Sequence, residues 1–286
     1  MANLIITMTK AAACGNRVAD VLDEQPEEMG REEVKELRGA VEFRNVTLTY
    51  NESTEPSLED ISFTALPGQT IGVIGGTGSG KTSLVNLIPG FYRVSKGQVL
   101  IDGAAVSDLD AHDLREKVGI VPQKAVLFRG TIRDNLKWGD PEATDEQLWE
   151  ALRLAQGADV VAGKEKGLDE LVEQGGANFS GGQRQRLTIA RALVRKPAVL
   201  ILDDSASALD YATDAKLRMS LRSMDYAPTT FIVSQRASSV RHADRILVLD
   251  DGRLVGSGTH DELLAGCEVY QEIYYSQFPK EVTDNG

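Results

Sequence analysis

The chain has 286 residues, 42% of them hydrophobic, which suffices for a substantial core in one large domain or two small ones. Its 43 acidic and 31 basic residues leave a net charge of −12, which argues against nucleic acid as a partner, since such proteins present a basic face. Two cysteines, no signal-peptide pattern and no apolar run near the ~20 residues that span a bilayer lead us to expect a soluble chain in a reducing, cytosolic setting.

The first element in chain order is "NLIITMTKAAACGNRVADVLDE" (residues 3–24), which reads as a helix with Leu4, Ile5, Met8, Ala12, Val18 and Leu22 apolar. Two readings of it are open: an amphipathic helix docked on the fold, or the cytoplasmic end of a membrane-spanning helix. The acidic run "DEQPEEMGREEVKE" then reads as a linker. From Ala40, "AVEFRNVTLTY" alternates like a half-buried strand, and "ISFTALPGQTIGVIG" supplies two more strands joined at Pro67-Gly68. The second is almost wholly apolar, as expected of a central strand. A glycine-rich turn and a helix follow in "GGTGSGKTSLVNLI" (75–88). Further strands are predicted at Gln98–Ile101, Val118–Val121, Val199–Leu202, Thr230–Val233 and Arg245–Leu249. Between Gln123 and Lys196 the pattern is mostly helical. In "TDEQLWEALRLAQ" Asp145 is the expected cap, and Leu148, Trp149, Leu152 and Leu154 form the helical face. The pattern predicts an α/β fold with an N-terminal antiparallel β-subdomain and an inserted helical subdomain over about 124–196.

Gly75 to Thr82 fits the P-loop spacing G-x-x-x-x-G-K-[ST]. Such glycines let backbone N–H groups wrap phosphates at a helix N-terminus, where the dipole favours negative charge. Lys81 would reach the terminal phosphates and the Thr82 hydroxyl a Mg²⁺ ion. The apolar strand ending in Asp203 is the second element that P-loop NTPases use to hold Mg²⁺. Alone such an Asp is weak, because many strands end in a turn-forming Asp. Paired with the P-loop it is strong.

"FSGGQRQRLTIARAL" (179–193), a short way upstream of Asp203, closely resembles the signature motif of the ABC ATPases, apart from Phe179 in place of the usual Leu. The resemblance runs from Ala40 to Phe278. Tyr50 falls where the family stacks a ring on adenine. Gln123 matches the Q-loop glutamine, which assigns it to both metal and catalysis. "SALD" (207–210) matches the D-loop, and "RILVLDDGRLVGSGTHDELL" the closing strand pair. Within the family the chain looks like the ATP-binding domain of an exporter. "NRVADVLDE" resembles the segment that joins the last transmembrane helix to that domain, which favours the second reading of the N-terminus. The implied division is residues 1–39 for helix end and linker, 40–278 for the ATP-binding domain, and 279–286 for a C-terminal tail, at the cytoplasmic face of the cell membrane.

The resemblance also implies a mechanism. Two such domains pair head to tail, and each ATP lies between one P-loop and the other domain's signature. The expected contacts of this chain's own Mg·ATP are Tyr50, Gly75, Thr77, Gly78, Ser79, Gly80, Lys81, Thr82 and Ser83, with Thr82, Gln123 and Asp203 on the metal. Ser180, Gly181, Gly182 and Gln183 would serve the γ-phosphate of a partner's ATP. Hydrolysis in the family uses a Glu after the strand-end Asp as base, and a His on a later strand end.

Here Asp204 and Gln235 stand at those positions. His242 and His260 match other parts of the closing segment. Asp is one methylene shorter, drawing its carboxylate back by roughly 1.5 Å. Gln keeps hydrogen-bonding capacity but carries no charge and takes no proton. A damaged P-loop half beside a sound signature resembles one half of a heterodimeric exporter. "ELVEQGGANFS" before the signature lacks a clear match to the exporter coupling pattern. A non-hydrolysing, nucleotide-gated interaction module is the alternative from another class. The roughly hundred residues between P-loop and signature leave no room for the long coiled coil of a chromosome-maintenance ATPase, and one cassette is one too few for the translation-associated class.

Overall fold

The computed structural model describes residues 2–23, 30–34, 36–50 and 53–278, and for Ala2, Ala206 and Ser207 the backbone alone. Much of the expected linker, the tail 279–286 and the side chain of Ser207 lie outside the described residues.

Two larger sheets carry the fold. An antiparallel four-stranded sheet runs in the order β2-β1-β4-β5, with β1 Val41–Leu48, β2 Leu58–Ala65, β4 Lys96–Ile101 and β5 Ala104–Ala105. A six-stranded sheet runs β12-β11-β3-β10-β9-β6, built from β3 Thr70–Gly75, β6 Val118–Val121, β9 Val199–Asp203, β10 Thr229–Ser234, β11 Arg245–Asp250 and β12 Arg253–Gly258. Its four pairings from β6 to β11 are all parallel, and only β12 turns back antiparallel. Parallel strands covered on both faces read as unbroken apolar runs, which is how "TIGVIG" and "VLILD" read.

Successive side chains on these strands face opposite layers. Ile74, Leu200, Leu202, Ile232 and Val248 join one buried cluster with the helical subdomain. Ile71, Val73, Ile201, Phe231, Val233 and Leu249 join the other, against the antiparallel sheet. Phe63 bridges the two sheets, stacked on Phe43 at 4.5 Å and edge-on to Phe231 at 6.4 Å. This is the α/β, P-loop NTPase architecture the sequence predicts.

The helical subdomain contains helices Ile132–Lys137, Asp145–Leu154, Ala158–Ala162 and Gly181–Val194. Two corrections apply. Thr144, and not Asp145, caps the second of these, in a capping box with Gln147. Both residue types cap well, so spacing alone leaves the choice one residue wide. The buried face is Leu148, Ala151, Leu152 and Ala155, while Trp149 and Leu154 are half-buried at its edge. A short ladder, β7 Gly130–Thr131 on β8 Leu171–Val172, also interrupts the region expected to be helical.

The N-terminal helix spans Ala2–Leu22, and every residue from 3 to 23 is exposed, Leu22 at 78%. The docked reading therefore finds no buried face. Among the described residues no helix is long and apolar enough to cross a membrane.

Candidate nucleotide-binding cleft

The parallel strands end together, and their C-terminal ends make a cleft of about 520 Å³. Open α/β sheets bind ligands at this end. β3 ends at Gly75 and passes through the loop to the six-residue helix Lys81–Asn86. The loop demands glycine at two left-handed positions, Gly78 (φ 82°) and Gly80 (φ 92°). At Gly80 a Cβ would also meet Leu58 Cδ2 at 2.7 Å and the Ser57 carbonyl at 2.9 Å, so the loop is tied to the antiparallel sheet. At Gly78 a Cβ would meet nothing, because that backbone faces open cleft.

Lys81 is buried. Its Nζ donates to the Gly75 carbonyl at 2.9 Å and to that of Gly76, and lies 3.3 Å from Ser79 Oγ. Burial pulls its pKa down, against the opposing pull of Asp204 and Asp203. Thr82 Oγ1 donates to the Asp203 carboxylate at 3.1 and 3.3 Å. Burial pushes the Asp203 pKa up, the Thr82 hydrogen bond pulls it down, and Asp204 adds to the rise.

β9 ends in a strained turn. Asp204 adopts φ 44°, its N–H donating to the Val233 carbonyl at 2.9 Å. Its Oδ2 accepts from Gln123 Nε2 at 3.2 Å, so a side chain two residues past β6 meets the residue after β9 at the sheet end. Gln235, just past β10, is exposed and lines the same cleft.

The structure thus brings Thr77, Gly78, Gly80, Lys81, Thr82, Ser83, Gln123, Asp203, Asp204 and Gln235 onto one cleft. Gly75 and Ser79 stand behind it as partners of Lys81. Tyr50 is not on its wall. The Tyr50 hydroxyl donates to Ser83 Oγ at 2.9 Å, and its ring meets Tyr92 edge-on at 5.0 Å. Ser180, Gly181, Gly182 and Gln183 lie apart, at the start of helix Gly181–Val194. There Ser180 Oγ accepts from Gln183 N–H at 3.2 Å, and Gln183 Oε1 accepts from Ser180 N–H at 3.0 Å. The unusual Phe179 is buried beneath the Lys164 ammonium, 4.7 Å from its ring centre.

Sequence reasoning missed a second wall made of Ser53, Glu55, Pro56, Ser57, Asp251 and Gly252. The Asp-Gly pair between β11 and β12 was a visible hairpin signal. Nothing local pointed that hairpin at the P-loop: its Gly252 carbonyl accepts from Glu59 N–H of β2 at 2.9 Å, which sets Gly252 Cα 3.7 Å from where a Cβ on Gly80 would stand.

Among the described residues no three His, Cys, Asp or Glu side chains could hold a metal together. One hydroxyl and one carboxylate, both hard oxygens beside the glycine loop, are instead donors of the kind that suit Mg²⁺ when substrate phosphates supply further ligands.

A parallel sheet, a glycine loop closing on a buried lysine and a strand-end carboxylate define an ATP-binding P-loop domain. The ABC transporter family profile matches residues 58–207, and the chain belongs to that family. It is 42% identical over 283 residues to an uncharacterised ABC transporter ATP-binding protein of Bacillus subtilis, covering 99% of this chain and 49% of that protein. It is 45% identical over 242 residues to the beta-(1→2)glucan export ATP-binding/permease protein NdvA of Rhodopseudomonas palustris, covering 85% and 40%. A solved bacterial Atm1-family ABC exporter with ATP bound superposes with a TM-score of 0.87 at 32% identity, covering 95% of this chain and 48% of that one. The chain spans about half the length of these relatives.

Proposed function

We propose that residues 40–278 form the ATP-binding domain of one subunit of an ABC exporter, with a helical subdomain over about 124–196, and that this subunit's own cleft holds Mg·ATP with little hydrolysis. The observation that carries the reading is the sharing of one cleft by Lys81, Thr82 and Asp203 with the shortened Asp204 and the uncharged Gln235. The binding parts are complete and the hydrolytic pair is altered.

In this reading the loop N–H groups and Lys81 hold the phosphates, and Thr82, Asp203 and Gln123 hold Mg²⁺. Bound there, the ion would neutralise charge on the phosphate oxygens. Asp204 is hydrogen-bonded to Gln123 and one methylene short of the water a base must reach; losing a general base costs typically 10²–10⁴-fold. Gln235 can donate to a γ-phosphate oxygen without charging it. Tyr50 lies behind Ser83, so adenine stacking there requires the ring to meet the base at the cleft's rim.

Ser180 to Gln183 cannot serve this cleft, which they do not line, and an exposed capped helix start is an anion site ready for another chain's ATP. We therefore assign the partner as a second, different ATP-binding domain, whose P-loop, Glu and His form the competent site. A transmembrane part of the transporter would dock on the groove lined by Phe91, Phe128 and Trp138, where Phe128 and Trp138 stack at 4.6 Å and all three rings stay substantially exposed. In this reading the chain works at the cytoplasmic face of the membrane.

The isolated chain is expected to bind a fluorescent ATP analogue with Mg²⁺ while releasing phosphate far more slowly than ~1 s⁻¹, an ordinary enzyme rate. Turnover at or above that rate by the lone chain defeats the reading.

A further inference from the structure

Gln235 reaches the cleft from a two-residue break in the chain. β10 ends at Ser234, and the four-residue helix Ala237–Val240 begins just beyond. Inside the break, Ser234 Oγ accepts from Arg236 N–H at 3.0 Å. The residue preceding the helix, Arg236, supplies no side-chain cap. Ala237 is fully buried, and an unpaired N–H there would cost the desolvation of a buried donor.

The missing acceptor comes from 40 residues away. Gln277 Oε1 accepts from Ala237 N–H at 2.9 Å, and Gln277 Nε2 donates to the Gln235 carbonyl at 2.8 Å. One carboxamide thus brackets Arg236, binding the carbonyl just before it and the N–H just after it. It is carried by the last residue of helix Glu268–Gln277. That helix is anchored well away from the cleft: Tyr270 is fully buried with its hydroxyl 2.8 Å from His260 Nδ1, and Gln271 Nε2 donates to the Leu264 carbonyl at 2.8 Å.

We propose that Gln277 is a positioning residue for the nucleotide cleft, holding the backbone that leads out of Gln235 so that the Gln235 carboxamide faces the γ-phosphate. The inference rests on the reading that Gln235 contacts that phosphate. Gln235 and Arg236 are both exposed, so side-chain burial does not fix the path of the chain between β10 and the helix. A displacement of ~1 Å in a positioned group can cost on the order of a hundredfold in rate. A carboxamide that holds the Gln235 carbonyl and the Ala237 N–H together limits that displacement.

The test uses the whole 286-residue chain, titrated with Mg·ATP and Mg·ADP in parallel and melted without nucleotide. Only ATP carries the phosphate in question, so the ratio of the two affinities isolates it. Gln277→Met keeps the length and loses both bonds. Gln277→Glu keeps an acceptor for Ala237 but turns a second acceptor toward the Gln235 carbonyl. Both should lower the preference for ATP over ADP by about fivefold, the worth of one hydrogen bond of ~1 kcal/mol. Affinity for ADP should stay within about twofold by the same arithmetic. Added to Gln235→Ala, Gln277→Met should cause no further loss of preference.

Equal loss of ATP and ADP affinity in both variants overturns the proposal in favour of a purely structural role. If Gln235→Ala lowers the ratio and neither Gln277 variant does, the proposal falls while the reading of Gln235 stands. If Gln235→Ala itself leaves the ratio unchanged, that reading fails and the proposal goes with it.

Discussion

Asp203 and Lys81 face each other across a half-buried cleft in which burial works against both charges. For Asp203 the folded pKa lies above its ordinary 3.8. Such a group stabilises the fold by binding its proton below that value, and the contribution is lost as pH rises through the folded pKa. At neutral pH the carboxylate is therefore kept at some cost to stability. Asp203→Asn should raise the melting temperature of the nucleotide-free chain at pH 7, with the gain shrinking toward pH 4, while weakening Mg·ATP binding at least tenfold. Calorimetry across that pH range checks the sign. A melting temperature that falls at pH 7 contradicts the cause assigned to the shift.

The pair at positions 204 and 235 invites a second prediction. Asp204→Glu alone should restore little activity in the assembled transporter, because Gln235 still leaves the phosphate poorly oriented. Asp204→Glu with Gln235→His should restore more than the two single changes combined, since groups that act as a unit are non-additive. Phosphate-release rates of the four proteins measure this. Additive effects on log rate would mean that the two positions do not form one catalytic unit.

At the scale of elements, the helical subdomain depends on buried faces closed by capping boxes. Leu152, fully buried on helix Asp145–Leu154, should cost about 2–5 kcal/mol when cut to Ala. Thr144→Ala should cost only about 1 kcal/mol, as a lost cap does. Urea denaturation orders the two, and a Thr144→Ala loss as large as that of Leu152→Ala would contradict the packing account. These elements also show what could be read beforehand. The strands β3, β6, β9, β10 and β11 were legible to within a residue or two, because each is an apolar run buried on both faces. The cap of the second helix was misplaced by one residue, since Thr144 and Asp145 are chemically equivalent candidates.

The same limit applies to the cleft. The P-loop, Asp203 and Asp204 were legible because each sits where a strand ends, and local pattern marks strand ends. The wall from Ser53 to Ser57 and Asp251-Gly252 was not, because it depends on how a hairpin of one sheet approaches the other. Gln277 was likewise invisible, being tied to Gln235 only by the folded path of the chain between them. Tyr50 was placed by family position alone, and its hydrogen bond to Ser83 has no local signature.

For the molecule as a whole, the central claim is a division of labour: this chain's P-loop cleft binds ATP and hydrolyses it poorly, while its Ser180 end completes a working site in another chain. The two features sit on different surfaces, so they can be disabled separately. The most direct measurement is ATP turnover by the assembled transporter carrying either Ser180→Arg or Lys81→Ala. The account predicts that Ser180→Arg abolishes most turnover without changing the isolated chain's nucleotide affinity, whereas Lys81→Ala weakens that affinity and leaves a substantial part of the turnover. If Lys81→Ala eliminates turnover and Ser180→Arg spares it, the working site belongs to this chain and the assignment is reversed.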